Sequence, residues 1–460
     1  MSTPAMRSGI RIAVLGLHLA AFLLLARGYE DSVSVIYASE GFYFMPNDDK
    51  WLLALVTAAV LSIITPIRSD RASTLYYHLV LCLVLIPMLV LFHAEDLPGS
   101  YIAQVAAGYA LCIAMRPMLR FTPPRWLRMS PQGLRRTFLV MTLLYIAAIV
   151  LMGGVRYLNF DLSRVYDLRA DAASNLPSVF DYVSPLIGKV VVPTALVLSI
   201  MHRQYITAIV FACCSVLIFG LTAHKAPLFY PLLVLGVYAA SSRKQLALLF
   251  GLGVVVALAL SLADFWLARH VDDEAFGWTG KLVMRRVFFL PAQLNFMYYD
   301  FFSRNEWVWF SNSKLTLGLL DYPYDISTTH LIGREYFDSE SMGANTGWFG
   351  SGYMQAGFAG VLLYAVVIAA VFRYVDECAR QSGAQAMMTA AVVVPVFALL
   401  TSSDLLTAFF THGLYLNLLI LACLVNKEPL HACRTSHQRP SPLRYPRFRQ
   451  AVPQPRGAGI

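Results

Sequence analysis

The sequence predicts an all-α polytopic membrane protein. Of its 460 residues, 58% are hydrophobic and only 14% are charged, whereas a soluble domain typically has about 25% charged residues. Apolar runs of roughly 18–23 residues recur along the chain, which is the length at which a helix crosses the bilayer core. The composition therefore excludes a disordered chain, a repeat solenoid and an ordinary cytosolic enzyme.

We predict about twelve transmembrane helices that form a single bundle over residues 1–426. The first span is not a cleaved signal peptide, because it lacks a small-residue cleavage site followed by a mature domain and a second span follows soon after. Two of the segments between spans are long, 156–185 and 268–350. The predicted spans are 9–27, 51–67, 75–93, 101–119, 137–155, 186–201, 204–222, 226–241, 245–267, 351–372, 387–403 and 411–426.

Lys and Arg are concentrated in alternate segments between these spans. With the N-terminus inside, the inside segments contain 22 of the 36 Lys and Arg residues but only 4 of the 27 Asp and Glu residues. Basic segments stay in the cytoplasm, so both termini are predicted to be cytoplasmic and the two long loops periplasmic. The basic, proline-rich tail at 427–460 is predicted to be disordered and to lie on anionic lipid. The net charge of +9 thus reflects topology, and no nucleic-acid partner is expected.

The seven cysteines lie in predicted spans or inside segments, so no structural disulfide is implied. No Cys/His cluster has the spacing of zinc ligands, and no metal is expected. The outside loops also lack any N-x-Ser/Thr sequon, and this together with the cysteine distribution suits a bacterial inner membrane. The cysteines are Cys82, Cys112, Cys213, Cys214, Cys378, Cys423 and Cys433.

The chemistry is predicted to lie on the outside loops rather than within the bundle. The span interiors are nearly free of charge, and Lys189, Asp264 and Asp404 lie near span ends. A channel or carrier usually has its polar groups inside the spans, and a loop as long as 268–350 is usually functional.

The large loop contains an aromatic run, 287–302, that is too short and too polar to span the membrane. It is typical of an interfacial or re-entrant helix with Pro291 in its first turn. Arg285 and Arg286 directly precede it. Two guanidinium groups at headgroup depth could clamp a diphosphate, because each can bind two phosphate oxygens. Alternatively, both anchor the helix to lipid phosphate.

The shorter outside loop contains Arg164 and Arg169, five residues apart, with Asp167 between them. On an interfacial helix both could reach one ligand, and Asp167 could orient either. A solvated salt-bridge cluster is the alternative. In the tight turn before the eighth span, Lys225 could supply a further positive group or could simply extend its amine to the interface.

The segment 321–350 is rich in carboxylates, hydroxyls and aromatics. His330, Arg334, Glu335 and Asp338 lie in it, and such a mixture suits sugar hydroxyls and a general base. A solvated acidic loop is the alternative.

A glycine-rich run follows this segment. Asn345 could present its amide to an anion at the start of the next helix. Gly352, Ala356 and Gly360 are spaced by four, which predicts one small-residue helix face packed against a neighbour.

Four of these segments together resemble the oligosaccharide repeat-unit polymerases of bacterial surface polysaccharide assembly (Wzy-type). The general plan of about twelve helices with two long outside loops matches as well. The four segments are Val165-Tyr-Asp-Leu-Arg169, Lys225 with Pro227, Arg285-Arg-Val-Phe-Phe followed by Tyr298-Tyr-Asp-Phe-Phe302, and Asn345-Thr-Gly with the glycine-rich run to Gly360.

The resemblance implies a fold similar to that of the multi-spanning glycosyltransferases that use lipid-linked sugars. It implies transfer of a growing glycan from undecaprenyl diphosphate to a lipid-linked repeat unit, without a cofactor, a metal or a nucleotide sugar. The implied partners are the undecaprenyl-diphosphate-linked oligosaccharide, membrane lipid and, as a candidate, a chain-length regulator.

A departing diphosphate needs fixed positive charge where its own charge develops. Arg169 and Arg285 are therefore the first candidates for catalytic residues, and His330, Glu335 and Asp338 are candidates for a general base that the sequence does not rank. The expected substrate-binding residues are Arg164, Tyr166, Lys225, Arg286, Arg334 and Asn345.

Three alternatives remain. O-antigen ligases share the plan, and by family resemblance they rely on a His-Asn pair just before the late glycine-containing span. This chain has Ala344-Asn345 at that place, without an adjacent histidine. His330 could fill the role of the histidine from farther away. A lipid-linked sugar flippase or other transporter would need charged groups inside the bundle. A non-catalytic scaffold would not need basic residues clustered on outside loops.

Overall fold

The computed structural model describes residues 4–124, 129–161, 177–222, 224–243, 245–271, 277, 279–313 and 316–425. These residues are predominantly helical, and no β-strand occurs among them. The principal helices are α1 (Pro4–Gly28), α2 (Asp48–Ile64), α3 (Ser73–Ala94), α4 (Gly99–Met115), α5 (Pro131–Leu151), α6 (Val179–Met201), α7 (Tyr205–Thr222), α8 (Ala226–Ser241), α9 (Leu246–Val271), α10 (Leu290–Arg304), α11 (Thr328–Phe337), α12 (Trp348–Ser382), α13 (Gln385–Thr401) and α14 (Leu414–Cys423).

The prediction of a helical membrane protein is confirmed. Every predicted span falls on one of these helices. In the described part of the chain, seven helices are long and apolar enough to cross a membrane, and α4, α8, α13 and α14 are shorter apolar helices. The number of crossings stays a prediction, and the tail at 427–460 lies outside the described residues.

Helix α3 forms the centre of the bundle. Its apolar stretch is completely buried, and its two halves contact α1, α2, α9, α12 and α13. Large apolar side chains of the surrounding helices, among them Leu52, Ile206 and Leu260, are instead exposed. A contiguous apolar exterior is the surface that lipid would cover.

Three of the helical segments widen into a π-helical turn shortly before a proline. The π-helical turns Leu81–Leu85 in α3 and Ile187–Val191 in α6 precede Pro87 and Pro193, and the π-helix Gly280–Phe289 leads through Leu290 into Pro291. A proline ring would clash with the carbonyl of the fourth preceding residue, so the wider i→i+5 turn is a physical accommodation of it.

Polar contacts join segments between the helices at two places on the bundle, which we call the basic end and the loop end. At the basic end, the Asp376 carboxylate accepts hydrogen bonds from the backbone N–H and hydroxyl of Ser73, at 2.9 and 2.8 Å. Arg116 pairs with the same carboxylate at 2.9 Å, and both side chains are buried. This ion pair joins α3, α4 and α12. The loop end carries residues 29–47, 280–313, 316–345 and 402–412.

The aromatic run at 287–302 forms the end of the π-helix Gly280–Phe289 and most of α10. Helix α10 packs against α12, and its aromatic residues Phe296, Tyr298, Phe301 and Phe302 are buried in protein. Phe296 packs against Tyr101 of α4, and Phe301 and Phe302 pack against Tyr324. The depth of this helix in the membrane stays a prediction.

The small-residue run does not form a helix face that packs against a neighbour. Helix α12 breaks at Ala356 and Gly357. Gly357 has φ of +59°, a conformation that glycine adopts readily and other residues rarely do. Gly352 and Gly360 then approach each other across the break: a Cβ on Gly360 would lie 2.0 Å from the Gly352 carbonyl oxygen. The small residues permit this self-contact between segments 348–355 and 358–382.

Candidate functional site

Three adjoining cavities lie at the loop end of the bundle, where α6, α8, α12 and α13 approach the turn before α14. The first, of about 220 Å³, is polar and is lined by Asn345, Asp404 and His412 among others. The second, of about 470 Å³, shares Asn345, Ser403 and His412 with the first. The third, of about 420 Å³, shares Lys189 and His412 with the second. His412 therefore borders all three cavities, which together we call the outer cleft.

A chain of three side chains crosses the outer cleft. The Lys189 ammonium donates to Nδ1 of His412 at 2.7 Å, because an ammonium group can only donate. Nε2 of His412 lies 2.7 Å from the Ser403 hydroxyl oxygen. Lys189 forms no ion pair with any residue that the structure describes.

Local backbone geometry brings these three residues together. Lys189 lies in the π-helical turn of α6, and His412 directly follows another π-helical turn, Thr407–Thr411. Gly413, with φ of +77°, lets this turn approach α6: a Cβ there would lie 2.7 Å from methyl carbons of both Leu186 and Val190. Only glycine can occupy this position without strain.

Asp404 is the carboxylate that lines the polar cavity. One oxygen accepts a hydrogen bond from the Tyr364 hydroxyl at 2.7 Å, and the other accepts from the backbone N–H of Leu406 at 3.0 Å. Burial raises the pKa of Asp404, and these hydrogen bonds partly offset that rise. A carboxylate with a raised pKa is better suited to accept a proton near neutral pH.

The start of α12 forms another wall of the outer cleft. Asn295 of α10 accepts a hydrogen bond from the backbone N–H of Gly350 at 2.8 Å, which satisfies one of the free donors of the first helical turn. Gly347 lies against the end of α13, where a Cβ would be 2.2 Å from the Leu400 carbonyl oxygen. Asn345 precedes this turn and is exposed, and its side-chain amide donates to the Gly343 carbonyl oxygen at 3.2 Å.

The predicted arginine clamp has a different environment. Arg285 forms an ion pair with Glu40 and lies over the Tyr37 ring, 4.6 Å from its centroid. Arg286 is exposed. Burial and the charge of Arg286 both lower the pKa of Arg285, so the two guanidinium groups interact, and a clamp on one diphosphate stays a prediction. Arg285 does not line the outer cleft.

The candidates for a general base lie on or just after α11. Nδ1 of His330 lies 2.6 Å from the Glu340 carbonyl oxygen, while Glu335 is exposed and so is Asp338, which ends the helix with φ of +50°. None of the three lines the outer cleft. The hydroxyl residues Thr328 and Thr329 of the same helix do line it, because α11 turns that face inward.

The remaining predicted residues have mixed placements. Arg334 pairs with Asp325 at 3.0 Å and with Glu340 at 3.3 Å. Lys225 is half-buried just before α8, next to Ala226, which borders the outer cleft. Arg164, Tyr166 and Arg169 lie outside the described residues.

Sequence reasoning missed the importance of Lys189, Ser403, Asp404 and His412. Lys189 and Asp404 were noticeable as charges near span ends, and a charge in such a position is a usable signal. The residues Ser403 and His412 offer no comparable signal, since a serine and a histidine near a span end are ordinary. No family model, curated protein or solved structure matches the chain.

Proposed function

We propose that the protein polymerises undecaprenyl-diphosphate-linked oligosaccharide repeat units at the periplasmic face of the bacterial inner membrane. The product is a surface polysaccharide such as O-antigen, capsule or exopolysaccharide, and the glycan is transferred en bloc to a lipid-linked acceptor. In this proposal the protein is a metal-independent glycosyltransferase with twelve spans and cytoplasmic termini.

The observation that carries the proposal is the amphiphilic lining of the second cavity. One wall is apolar and includes Phe229, Val394 and Phe397, while the other carries Lys189 and Asn345. Phe229 is exposed. A cavity that joins an apolar wall to a cationic one suits an isoprenoid chain with an anionic head.

The proposed reaction forms a bond between an acceptor hydroxyl oxygen and the anomeric carbon, and breaks the bond between that carbon and the diphosphate. Lys189 stabilises the negative charge of the departing lipid diphosphate. Asp404 accepts the proton of the acceptor hydroxyl. Arg169 keeps its predicted role toward the diphosphate, and Arg285 keeps its predicted role at a place outside the outer cleft.

A gel of surface polysaccharide tests the proposal. Cells that lack the gene are compared with the same cells carrying the wild-type gene. Loss of the polymer ladder with a single-repeat band retained supports polymerase activity. Polymer that accumulates on the carrier lipid, with every other glycan-bearing band lost, supports the ligase. An unchanged ladder contradicts both enzymes and favours a transporter.

An O-antigen ligase, which transfers glycan to lipid A, is the second candidate. The observation that favours it is that Asn345 and His412 line the same two cavities. His412 could thus supply in space the histidine that is missing beside Asn345 in sequence.

A further inference from the structure

The hydrogen-bond chain in the outer cleft has a direction. The ammonium of Lys189 has three donors and no acceptor, so Nδ1 of His412 must accept at 2.7 Å. A neutral imidazole that accepts at Nδ1 carries its proton on Nε2. That proton is donated to the Ser403 hydroxyl oxygen, 2.7 Å away, and the Ser403 proton remains to be donated elsewhere.

This direction determines what His412 can do. A histidine whose Nε2 carries the proton is a donor on the side of Ser403, and it cannot remove a proton from that hydroxyl. The chain therefore does not activate Ser403 as a nucleophile, which would require an acceptor at Nε2. It polarises the Ser403 hydroxyl as a hydrogen-bond donor instead.

The charges around the chain favour an anionic ligand. The residues that line the second cavity include the Lys189 cation but neither Asp nor Glu. Asp404 lines the adjoining polar cavity and is bound by Tyr364 and Leu406, and Asp181, on the rim of the third cavity, is exposed. Within the described residues the Lys189 ammonium thus lacks a carboxylate partner, although an unpaired charge away from water is costly.

We propose that Lys189, His412 and Ser403 form a one-way donor chain that binds a phosphate group of a lipid headgroup through the Ser403 hydroxyl. Lys189 and His412 are positioning residues of the outer cleft, and Ser403 is the residue of the chain that touches the ligand. The choice of a lipid headgroup rests on the proposed function and on the apolar wall beside Lys189. Hydrogen bonds to an anion are roughly twice as strong as neutral ones.

Binding of farnesyl diphosphate to the purified full-length protein in detergent micelles tests the inference. Wild type should bind it at least about tenfold more tightly than farnesol. Ser403→Ala should weaken binding about tenfold, as expected for loss of one hydrogen bond to a charged group, and Ser403→Thr should restore it. Lys281→Met, which removes an exposed cation of the same end outside the outer cleft, should leave the affinity unchanged.

A coupling measurement separates the chain from a merely structural role. If the three residues act as a unit, the double variant Lys189→Met/Ser403→Ala should bind farnesyl diphosphate no more weakly than the single variant Lys189→Met. Additive losses, or an unchanged affinity in Ser403→Ala, would overturn the inference. Should Lys189→Met fail to fold, the comparison of Ser403→Ala with Ser403→Thr decides the question by itself.

Inorganic pyrophosphate distinguishes the two sources of phosphate. If inorganic pyrophosphate binds as tightly as farnesyl diphosphate, the proposal that the ligand is a lipid headgroup is contradicted. The proposed function fails separately: an unchanged polysaccharide ladder in cells without the gene would refute the polymerase, while binding through Ser403 would stand.

Discussion

The Nζ atom of Lys189 lies 2.7 Å from Nδ1 of His412, although 223 positions separate the two residues in the chain. Each lies in or directly after a π-helical turn, and such turns are frequent at functional sites. Among the described residues, Lys189 is the only cation that lines the second cavity. The contact joins this cation to the side chains of His412 and Ser403. The assignment of the outer cleft to an anionic lipid-linked ligand depends on this contact.

Substitution of Arg285 by Ala should abolish polymer while membrane insertion stays intact, and Arg169→Ala should do the same. Loss of one group that stabilises developing negative charge costs roughly 100- to 1,000-fold in rate. The measurement is the polysaccharide ladder, with protein in the membrane fraction as the control. Normal polymer in either variant would remove that residue from the mechanism.

Glu40→Gln distinguishes two roles of Arg285, because Glu40 is its ion-pair partner. If Arg285 acts on the substrate, this variant should keep its ladder, since the guanidinium group is retained. Equal loss of polymer in Glu40→Gln and Arg285→Ala would mean that the ion pair is structural.

Breaking the buried Arg116–Asp376 pair should be strongly destabilising. Arg116→Met leaves the buried Asp376 carboxylate without its ion-pair partner, and we expect a loss of about 3–5 kcal/mol in the free energy of unfolding. Thermal unfolding in detergent measures the effect. Arg68→Met is the matched control because its pair with Asp70 is exposed, and a similar loss in that variant would show that burial does not decide the outcome.

Gly357→Ala should disrupt the break in α12. The residue has φ of +59°, and a Cβ would lie 2.7 Å from a ring carbon of Trp307, so we expect a destabilisation of about 1–3 kcal/mol. Gly253→Ala provides the control, since nothing lies within 4 Å of its Cβ position. Equal unfolding temperatures for the two variants would contradict this account of the break.

The stability of the fold should depend on the protonation of Glu95, which lies just beyond α3. Burial raises its pKa from 4.5 to about 7. The folded protein therefore binds a proton that the unfolded chain releases, and the stability contributed by this proton is lost as pH rises from about 4.5 to about 7. Glu95→Gln should raise the unfolding temperature at pH 8 more than at pH 5. An equal shift at both pH values would refute the assignment.

The helices could be predicted from the sequence, and so could the proximity of Arg116 and Asp376. Apolar runs fix where helices form, and the alternation of Lys and Arg assigned Arg116 and Asp376 to the same side, where they meet. Both signals can be read from the sequence alone, so they do not require knowledge of how the helices pack.

The composition of the outer cleft could not be predicted in the same way. Which polar side chains meet depends on helix packing, on two π-helical turns and on the positive φ of Gly413. The regular spacing of Gly352, Ala356 and Gly360 indicated a continuous helix face, since nothing in that spacing signals a break at Gly357. The aromatics of α10 carried an interfacial pattern, and nothing in that pattern signals their contacts with Tyr101 and Tyr324.

The most direct test of the account is the polysaccharide ladder of cells lacking the gene and complemented with Lys189→Met. Wild type and Lys281→Met serve as references, with equal amounts of protein in the membrane. We predict that both references restore the ladder and that Lys189→Met leaves only the single-repeat band. A full ladder in the Lys189→Met cells would contradict the outer cleft as the site of glycan transfer.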